Sequence, residues 1–283
     1  MMSLQIRPLQ KTFGAEVSGL DLSQPLESQT IAELKSLWHK YELLLFRNQT
    51  MDEAEIVSFS KQLGDLEIHI RKEFLSQNSP EILYISNMTK EGKPVGILAD
   101  SEVGWHYDQI YLPRPAVGSF LFSVKLPSSG GETSFSDMSA AYEALPQSMK
   151  NAIDGKKAVQ SYEAFNALYS VPTSTEQKKK TPDIEHPLVR VHPYSGKKAL
   201  YICPGMTTQI VGIDKSTSDD LLQELFDWST KPEFVYTHVW QLGDGLLWDN
   251  ACTMHRREPF DPKQERLMKR TTILPDPKYA VPV

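Results

Sequence analysis

Apolar and polar positions change their rhythm near residue 81. Before it, SQTIAELKSLWHKYE places Ile31, Leu34, Leu37, Trp38 and Tyr41 at helical spacing, which predicts a helix with one side packed on a core. LLLFR, Leu43 to Arg47, then reads as a buried strand. Thr50-Met51-Asp52-Glu53 has the form of a capping box opening a helix through Leu63, and Gly64 stands where that helix should end. From about Glu81 the chain becomes strand-length runs divided by turns: EILYISNM, GWHYDQIYL, SFLFSVKL, ALYIC, EFVYTHVWQL, GLLWD and KRTTIL. Gly243-Asp244-Gly245 predicts a hairpin pairing VYTHVWQ with LLWDN. Two helices should interrupt the strands, Ser139 to Leu145 behind the cap Asp137, and Asp219 to Trp228 with Leu221, Leu222, Leu225 and Phe226 on one face. The polar, Lys-rich stretch from Tyr162 to His186 predicts a long surface excursion, a candidate lid over about residues 160–186. These runs add up to a mainly β fold with flanking helices, a double-sheet jelly roll whose mouth can hold a ligand.

Composition narrows the class. The 283 residues suffice for one elaborated domain spanning 1–283, and no stretch resembles a linker. A net charge of −6 argues against a nucleic-acid surface, which needs a basic stripe, so a small-molecule partner is expected. The one dense cationic run, Lys178-Lys179-Lys180, is expected in a solvated loop. No apolar stretch is long enough to cross a bilayer, and MMSLQIRPLQ lacks the apolar segment of a secretory signal, so the expected compartment is the cytoplasm. Cys203 and Cys252 are too few for a disulfide framework.

Chemistry enters at GWHYD. In an extended strand His106 and Asp108 fall on one face, so both could reach one metal ion. A third ligand is needed, and among the remaining histidines His255, in WDNACTMHRR just beyond GLLWD, is the strongest candidate. Two imidazoles and one carboxylate leave three adjacent positions open, as in non-heme Fe(II) oxygenases, although the same set also serves catalytic zinc. Farther on, Arg266 and Arg270 are four apart, so a strand turns them to the same side. Two guanidinium groups aimed into a barrel need anions, and the arginine fork suits a carboxylate.

GWHYDQIYLPRP, PSSGGETSFSDMSAAYEALP, HPLVRVHPYSGKKALY and GDGLLWDNACTMHRR, with Arg266 and Arg270 beyond them, resemble the Fe(II)/2-oxoglutarate-dependent dioxygenases of the taurine dioxygenase (TauD/TfdA) family. FGAEVSGLDLSQPL, LLLFRNQ and LGDLEIH are similar to that family's N-terminal region, so the resemblance spans nearly the whole chain. It implies a double-stranded β-helix core, a homodimer or homotetramer, and Fe(II), 2-oxoglutarate and O2 as cofactor and co-substrates. It implies His106, Asp108 and His255 as the iron triad, Arg266 and Thr133 as holders of the distal carboxylate of 2-oxoglutarate, and Arg270 and His69 beside an anionic primary substrate. Hydroxylation of a small carboxylate, sulfonate or phosphonate, with release of succinate and CO2, is the implied reaction. Retention of Asp108 favours oxygen transfer over halogenation.

The chain departs from the family pattern in places. Where some members carry an amide donor ahead of the metal triplet, this chain has Glu102, which only accepts, so either the substrate offers a cation or hydroxyl there or Glu102 faces water. Tyr107 and Gln109 replace the Thr or Ser of versions associated with sulfonate and aryloxyacetate enzymes. Tyr107, Tyr111 and Phe122 are candidates for an apolar pocket wall or for core. Competing readings are a non-catalytic cupin-like metal- or ligand-binding protein and a zinc hydrolase on the same barrel. The anion clamp argues against the first, and oxygen-dependent succinate production would separate the second.

Overall fold

The computed structural model describes residues 4–11, 13–97, 102–168 and 173–277. In chain order the strands are β1 (Gln5–Pro8), β2 (Ala15–Ser18), β3 (Leu43–Phe46), β4 (Leu83–Ser86), β5 (Thr89–Lys90), β6 (Lys93–Pro94), β7 (Val103–His106), β8 (Gly118–Lys125) and β9 (Thr133–Asp137). They continue as β10 (Lys157–Gln160), β11 (Ile184–Pro187), β12 (Val189–Val191), β13 (Lys198–Leu200), β14 (Thr207–Ile210), β15 (Val235–His238), β16 (Gly245–Asp249), β17 (Thr253–Arg257) and β18 (Leu267–Ile273). The helices are α1 (Ser28–Tyr41), α2 (Glu53–Leu63), α3 (Met138–Glu143), α4 (Gln147–Ile153), α5 (Tyr162–Asn166), α6 (Thr175–Lys180) and α7 (Lys215–Ser229).

The fold mixes helix and strand, with more strand than helix, in several mostly antiparallel sheets. Seven strands pair in the order β1-β2-β3-β16-β8-β18-β4, and four in the order β15-β9-β17-β7. The two sheets share a core: Leu45, Leu121, Leu246, Trp248 and Met268 from the larger pack with Phe135 of the smaller. Alternation makes this possible, because each strand turns every second side chain inward. The outer face of the larger sheet is covered by α1 and α2, which bury Ile31, Leu34, Trp38, Ile56 and Phe59 against Phe46, Phe120 and Leu247. The expected helical stripe of α1 is therefore met, with Leu37 and Tyr41 at its half-buried margin. Beyond the smaller sheet, α3, α4 and α7 close a third core around Met138, Tyr201, Leu225 and Met254. Among the described residues no helix is long and apolar enough to cross a membrane.

Several expectations need correction. The α2 capping box is built by Asp52, not Thr50: Asp52 accepts from the Glu55 N–H at 2.9 Å while Glu55 accepts from the Asp52 N–H at 2.7 Å. Gly64 ends α2 in extended backbone, φ 170°, and its need for glycine is steric, since a Cβ would lie 2.8 Å from Ile273. The expected 243–245 hairpin does not form. β15 pairs with β9 and β16 with β3 and β8, so the connection crosses from one sheet to the other. Asp244 holds that corner, fully buried and accepting from Arg47 at 2.7 Å, the Gln241 N–H at 2.8 Å and His238 at 3.0 Å. Gly243, at φ 79°, allows the close approach, because a Cβ there would meet the Gln49 carbonyl at 2.5 Å. The Lys178–Lys180 run is the last turn of α6, where cations suit the helix dipole. The 162–186 excursion holds α5, α6 and the start of β11, with Tyr162, Phe165 and His186 buried, while its residues 169–172 lie outside the described ones. Helix α7 begins four residues earlier than expected, at Lys215 behind its cap Asp214. Of the two readings open for Phe122, pocket wall or core, it takes the core one. Both cysteines are buried free thiols.

Candidate active site

Strand β7 ends at His106, so Asp108 does not share its strand face as the spacing suggested. The chain turns instead, with Gln109 in the left-handed region at φ 60°, and the turn returns Asp108 to the imidazole. His255 arrives from β17 as the direct cross-strand partner of His106, their ring centroids 4.1 Å apart. One ligand atom from each of His106, Asp108 and His255 lies within 4.8 Å of the others, and all three residues are buried. His106 donates from Nδ1 to the Gly104 carbonyl at 2.8 Å, which leaves the Nε2 lone pair for a metal. Burial, foremost, holds both imidazoles below their ordinary pKa, the neighbouring His106 adding to the effect on His255, so both stay neutral. Burial would raise the Asp108 carboxyl, but the Arg270 guanidinium, the two imidazoles and the Ser119 hydroxyl together hold it below the usual carboxylate range. Two neutral nitrogen donors and one anionic oxygen fit a divalent metal. A further cluster of this kind among the described residues, the half-buried His39 with buried His192 and Asp249, does not fit. His192 Nδ1 accepts from the Tyr194 and Ser195 N–H groups, and Nε2 donates to Asp249 at 2.8 Å, so neither nitrogen offers a lone pair.

Beside the triad a small cavity of about 40 Å³ is lined by Thr133, Arg257, Arg266 and Arg270 together with His106 and His255. Arg266, just ahead of β18, is 2% exposed and reaches the Gly131 carbonyl only at 3.4 Å. Among the described residues no carboxylate pairs with it, and burial, then the nearby Arg257, lowers its pKa to about 9. Thr133 is the register partner of Arg257, and its Oγ1 accepts from the Trp240 indole at 2.9 Å. The Thr133 hydroxyl proton is therefore free to donate toward the same cavity. A cationic, hydrogen-bonding recess of this kind is made for an anion.

A second cavity reaches His106 and Asp108, walled by Tyr111, Tyr162, Phe165 and Met206, with His69, Gln109 and Arg270 supplying polarity. The Tyr111 and Tyr162 rings lie 4.3 Å apart. His69 accepts from the Arg71 N–H at Nδ1, 3.1 Å away, and burial, then Arg270, takes its pKa to about 3, so Nε2 carries its proton as a neutral donor. Arg270 forms a buried ion pair with Asp108. Gln109 is 2% exposed, yet neither end of its amide meets a partner among the described residues. Tyr107 contributes little polarity, because its hydroxyl donates into the core, to the Leu200 carbonyl at 2.7 Å. Glu102 is exposed to water and lines neither cavity.

The sequence profile described as taurine catabolism dioxygenase TauD, TfdA family matches residues 5–272. The chain belongs to the TauD/TfdA family. It is 33% identical to an alpha-ketoglutarate-dependent 2,4-dichlorophenoxyacetate dioxygenase of Cupriavidus pinatubonensis, over 97% of this chain and 99% of that protein. It is 32% identical to an (S)-phenoxypropionate/alpha-ketoglutarate-dioxygenase of Sphingobium herbicidovorans, over 97% of this chain and 96% of that protein. A solved structure of AAD-2 in complex with Mn(II) and N-oxalylglycine superimposes with a TM-score of 0.86 at 32% identity, covering 97% of this chain and 99% of that one. This TauD/TfdA protein is a 2-oxoglutarate-dependent dioxygenase acting on a small organic substrate, with 2-oxoglutarate as co-substrate and a metal-binding site.

Sequence reasoning missed four features of the TauD/TfdA site. Arg257 stands two residues after His255, so strand alternation alone could have placed it in the same cavity. Tyr162 and Phe165 lie inside the stretch read as polar excursion, and their helical spacing was the available signal. In sequence Gln109 is visible only as a departure from the family pattern, since its left-handed backbone leaves no signal there. Ser119, which donates to Asp108 Oδ2 at 2.6 Å, sits in the apolar run SFLFSVKL and gives no signal.

Proposed function

We propose that the chain uses Fe(II), 2-oxoglutarate and O2 to hydroxylate an aryl-bearing carboxylate on the concave side of a double-stranded β-helix. His106, Asp108 and His255 hold the iron. Bound there, iron would supply oxygen activation coupled to oxidative decarboxylation of 2-oxoglutarate to succinate and CO2. Arg266 and the Thr133 hydroxyl grip the distal carboxylate of the co-substrate, and Arg257 adds positive charge at the same end. Arg270 grips the substrate carboxylate through its planar fork, and the neutral His69 donates a further hydrogen bond. Tyr111, Tyr162 and Phe165 clamp the aryl group and exclude water. The single observation that carries this reading is the buried guanidinium of Arg266, without a carboxylate partner among the described residues, beside a neutral-imidazole and carboxylate cluster. The two aryloxyalkanoate-named relatives agree with the aromatic walls.

The substrate cavity, at about 40 Å³, has room for only a few waters. Tyr162 and Phe165 of α5 must therefore swing outward to admit an aryl acid, which supports a lid role for the segment around 160–186 within one domain. A groove of about 530 Å³, sharing Tyr111 with the cavity and bordered by α6, offers the approach. The test is anaerobic reconstitution with Fe(II) and 2-oxoglutarate, watching for the visible charge-transfer band of the iron–keto-acid chelate. Oxygen is then admitted with aryloxyalkanoates, alkylsulfonates, alkyl sulfate esters and phosphonates in parallel. Succinate release stimulated above background by the aryl carboxylates is expected. Stimulation by the aliphatic sulfonates alone would refute the substrate class, and absence of oxygen-dependent succinate would refute the iron reading.

A further inference from the structure

A buried chain of hydrogen bonds runs to the Asp108 carboxylate from a tryptophan that also touches His255. The Trp248 indole N–H donates to Asn250 Oδ1 at 2.9 Å, Asn250 Nδ2 donates to Ser119 Oγ at 3.0 Å, and Ser119 lies 2.6 Å from Asp108 Oδ2. All four side chains are buried, the most exposed being Asp108 at 4%. The direction of the chain is forced. An indole N–H can only donate, so Asn250 must present its oxygen to Trp248 and its NH2 to Ser119. The serine oxygen, already an acceptor, then has one hydrogen, and it goes to Asp108. Backbone register builds the arrangement: Trp248 on β16 and Ser119 on β8 are direct cross-strand partners, and Asn250, one step past β16, is held by its N–H on the Val117 carbonyl at 2.9 Å. The Trp248 ring also contacts His255, with centroids 4.7 Å apart and the rings tilted.

We infer that Trp248, Asn250 and Ser119 are positioning residues that hold Asp108 in one rotamer, Oδ2 fixed by the Ser119 hydroxyl while Oδ1 is fixed by its ion pair with Arg270, so that the carboxylate meets the metal in one orientation. Trp248 thereby orients two of the three proposed ligands, one through the relay and one by contact. Partners of this kind commonly govern metal affinity by about 10- to 100-fold. The inference rests on the proposed metal triad.

The test titrates Mn(II) into the full-length protein, with free Mn(II) followed by paramagnetic resonance, in wild type, Ser119→Ala, Ser119→Thr, Asn250→Leu and Asp108→Ala. Ser119→Ala is expected to weaken binding about 10- to 100-fold. Ser119→Thr, which keeps the hydroxyl, should restore it to within about threefold, and Asn250→Leu should cost a few-fold because Ser119 is then free to rotate. A purely structural role would lower the melting temperature and leave affinity unchanged. Wild-type Mn(II) affinity in both Ser119→Ala and Asn250→Leu, with affinity lost in Asp108→Ala, would overturn the relay and spare the triad. Equal losses in Ser119→Ala and Ser119→Thr would also overturn it, since packing and not the hydroxyl would then matter. Undiminished affinity in Asp108→Ala would instead remove the triad on which the relay depends. Should Ser119→Ala fail to fold, Asn250→Leu decides the question alone: unchanged affinity there defeats the relay.

Discussion

Replacing Arg266 by methionine should move two quantities in opposite directions. In the ligand-free protein this guanidinium is almost wholly buried with no carboxylate beside it among the described residues, and its pKa falls from 12.5 to about 9. At 1.36 kcal/mol per pKa unit, that lowering corresponds to about 5 kcal/mol of charge kept at a loss. For a base whose folded pKa is depressed, the cost is fully present below that pKa and fades as pH rises above it, so at neutral pH all of it counts. Water in the cavity screens part, and replacing buried charge by an apolar side chain of similar volume typically gains about 1–4 kcal/mol. Arg266→Met is accordingly expected to raise the melting temperature of the ligand-free protein, by about 2–4 °C for each kcal/mol. The same change removes the counter-charge for the distal carboxylate of 2-oxoglutarate, a loss of about 3–5 kcal/mol or roughly 10²- to 10⁴-fold in affinity. Thermal melts with Mn(II), with and without saturating 2-oxoglutarate, read both effects. Wild type should gain stability on adding the keto acid, whereas the variant should start higher and gain almost nothing. A variant that melts below wild type without ligand and still shows the full keto-acid shift would refute the assignment.

Arg270→Leu should raise the Michaelis constant of the primary substrate by at least tenfold while 2-oxoglutarate decarboxylation uncoupled from substrate partly survives; equal loss of both activities would place Arg270 elsewhere in the mechanism. Gln109→Leu keeps the left-handed backbone cost and removes a buried amide that has no partner among the described residues, so the ligand-free melting temperature should hold or rise as substrate affinity falls. A lower melting temperature with unchanged substrate affinity would show the amide to be satisfied within the protein. Away from the site, burial and then the neighbouring Asp137 push the Glu42 carboxyl up to about 8. An acid raised on folding binds a proton that the unfolded chain has released between about pH 4.5 and 8, so stability should fall across that window as pH rises. Glu42→Gln should flatten the melting-temperature profile there, and parallel profiles for variant and wild type would count against the buried carboxyl.

Local signals were the legible part of this chain. The stripe Ile31, Leu34 and Trp38 marks α1 almost to the residue, and Asp137, standing just ahead of the helical run, caps α3. The convergence of His106, Asp108 and His255 was anticipated from residue chemistry, although the strand argument that first linked His106 to Asp108 fails, since a turn and not a pleat joins them. What escaped was non-local. Nothing near Gly243-Asp244-Gly245 reveals that β15 and β16 belong to different sheets, because Arg47, almost two hundred residues earlier, supplies the charge that buries Asp244. Ser119 and Asn250 are 131 positions apart, and an apolar run with one serine looks the same whether that serine faces a metal ligand or a neighbouring carbonyl.

The side chains of this site are shared between two sheets that face one another. His106, Thr133 and His255 stand on the smaller, while Ser119, Trp248 and Arg270 stand on the larger. A slip of either layer by a fraction of an ångström would therefore spoil the chemistry while every reacting group was still present. Remote replacements between the layers, at Leu246 or Met268 for instance, should register as lost turnover well before the protein melts at working temperature.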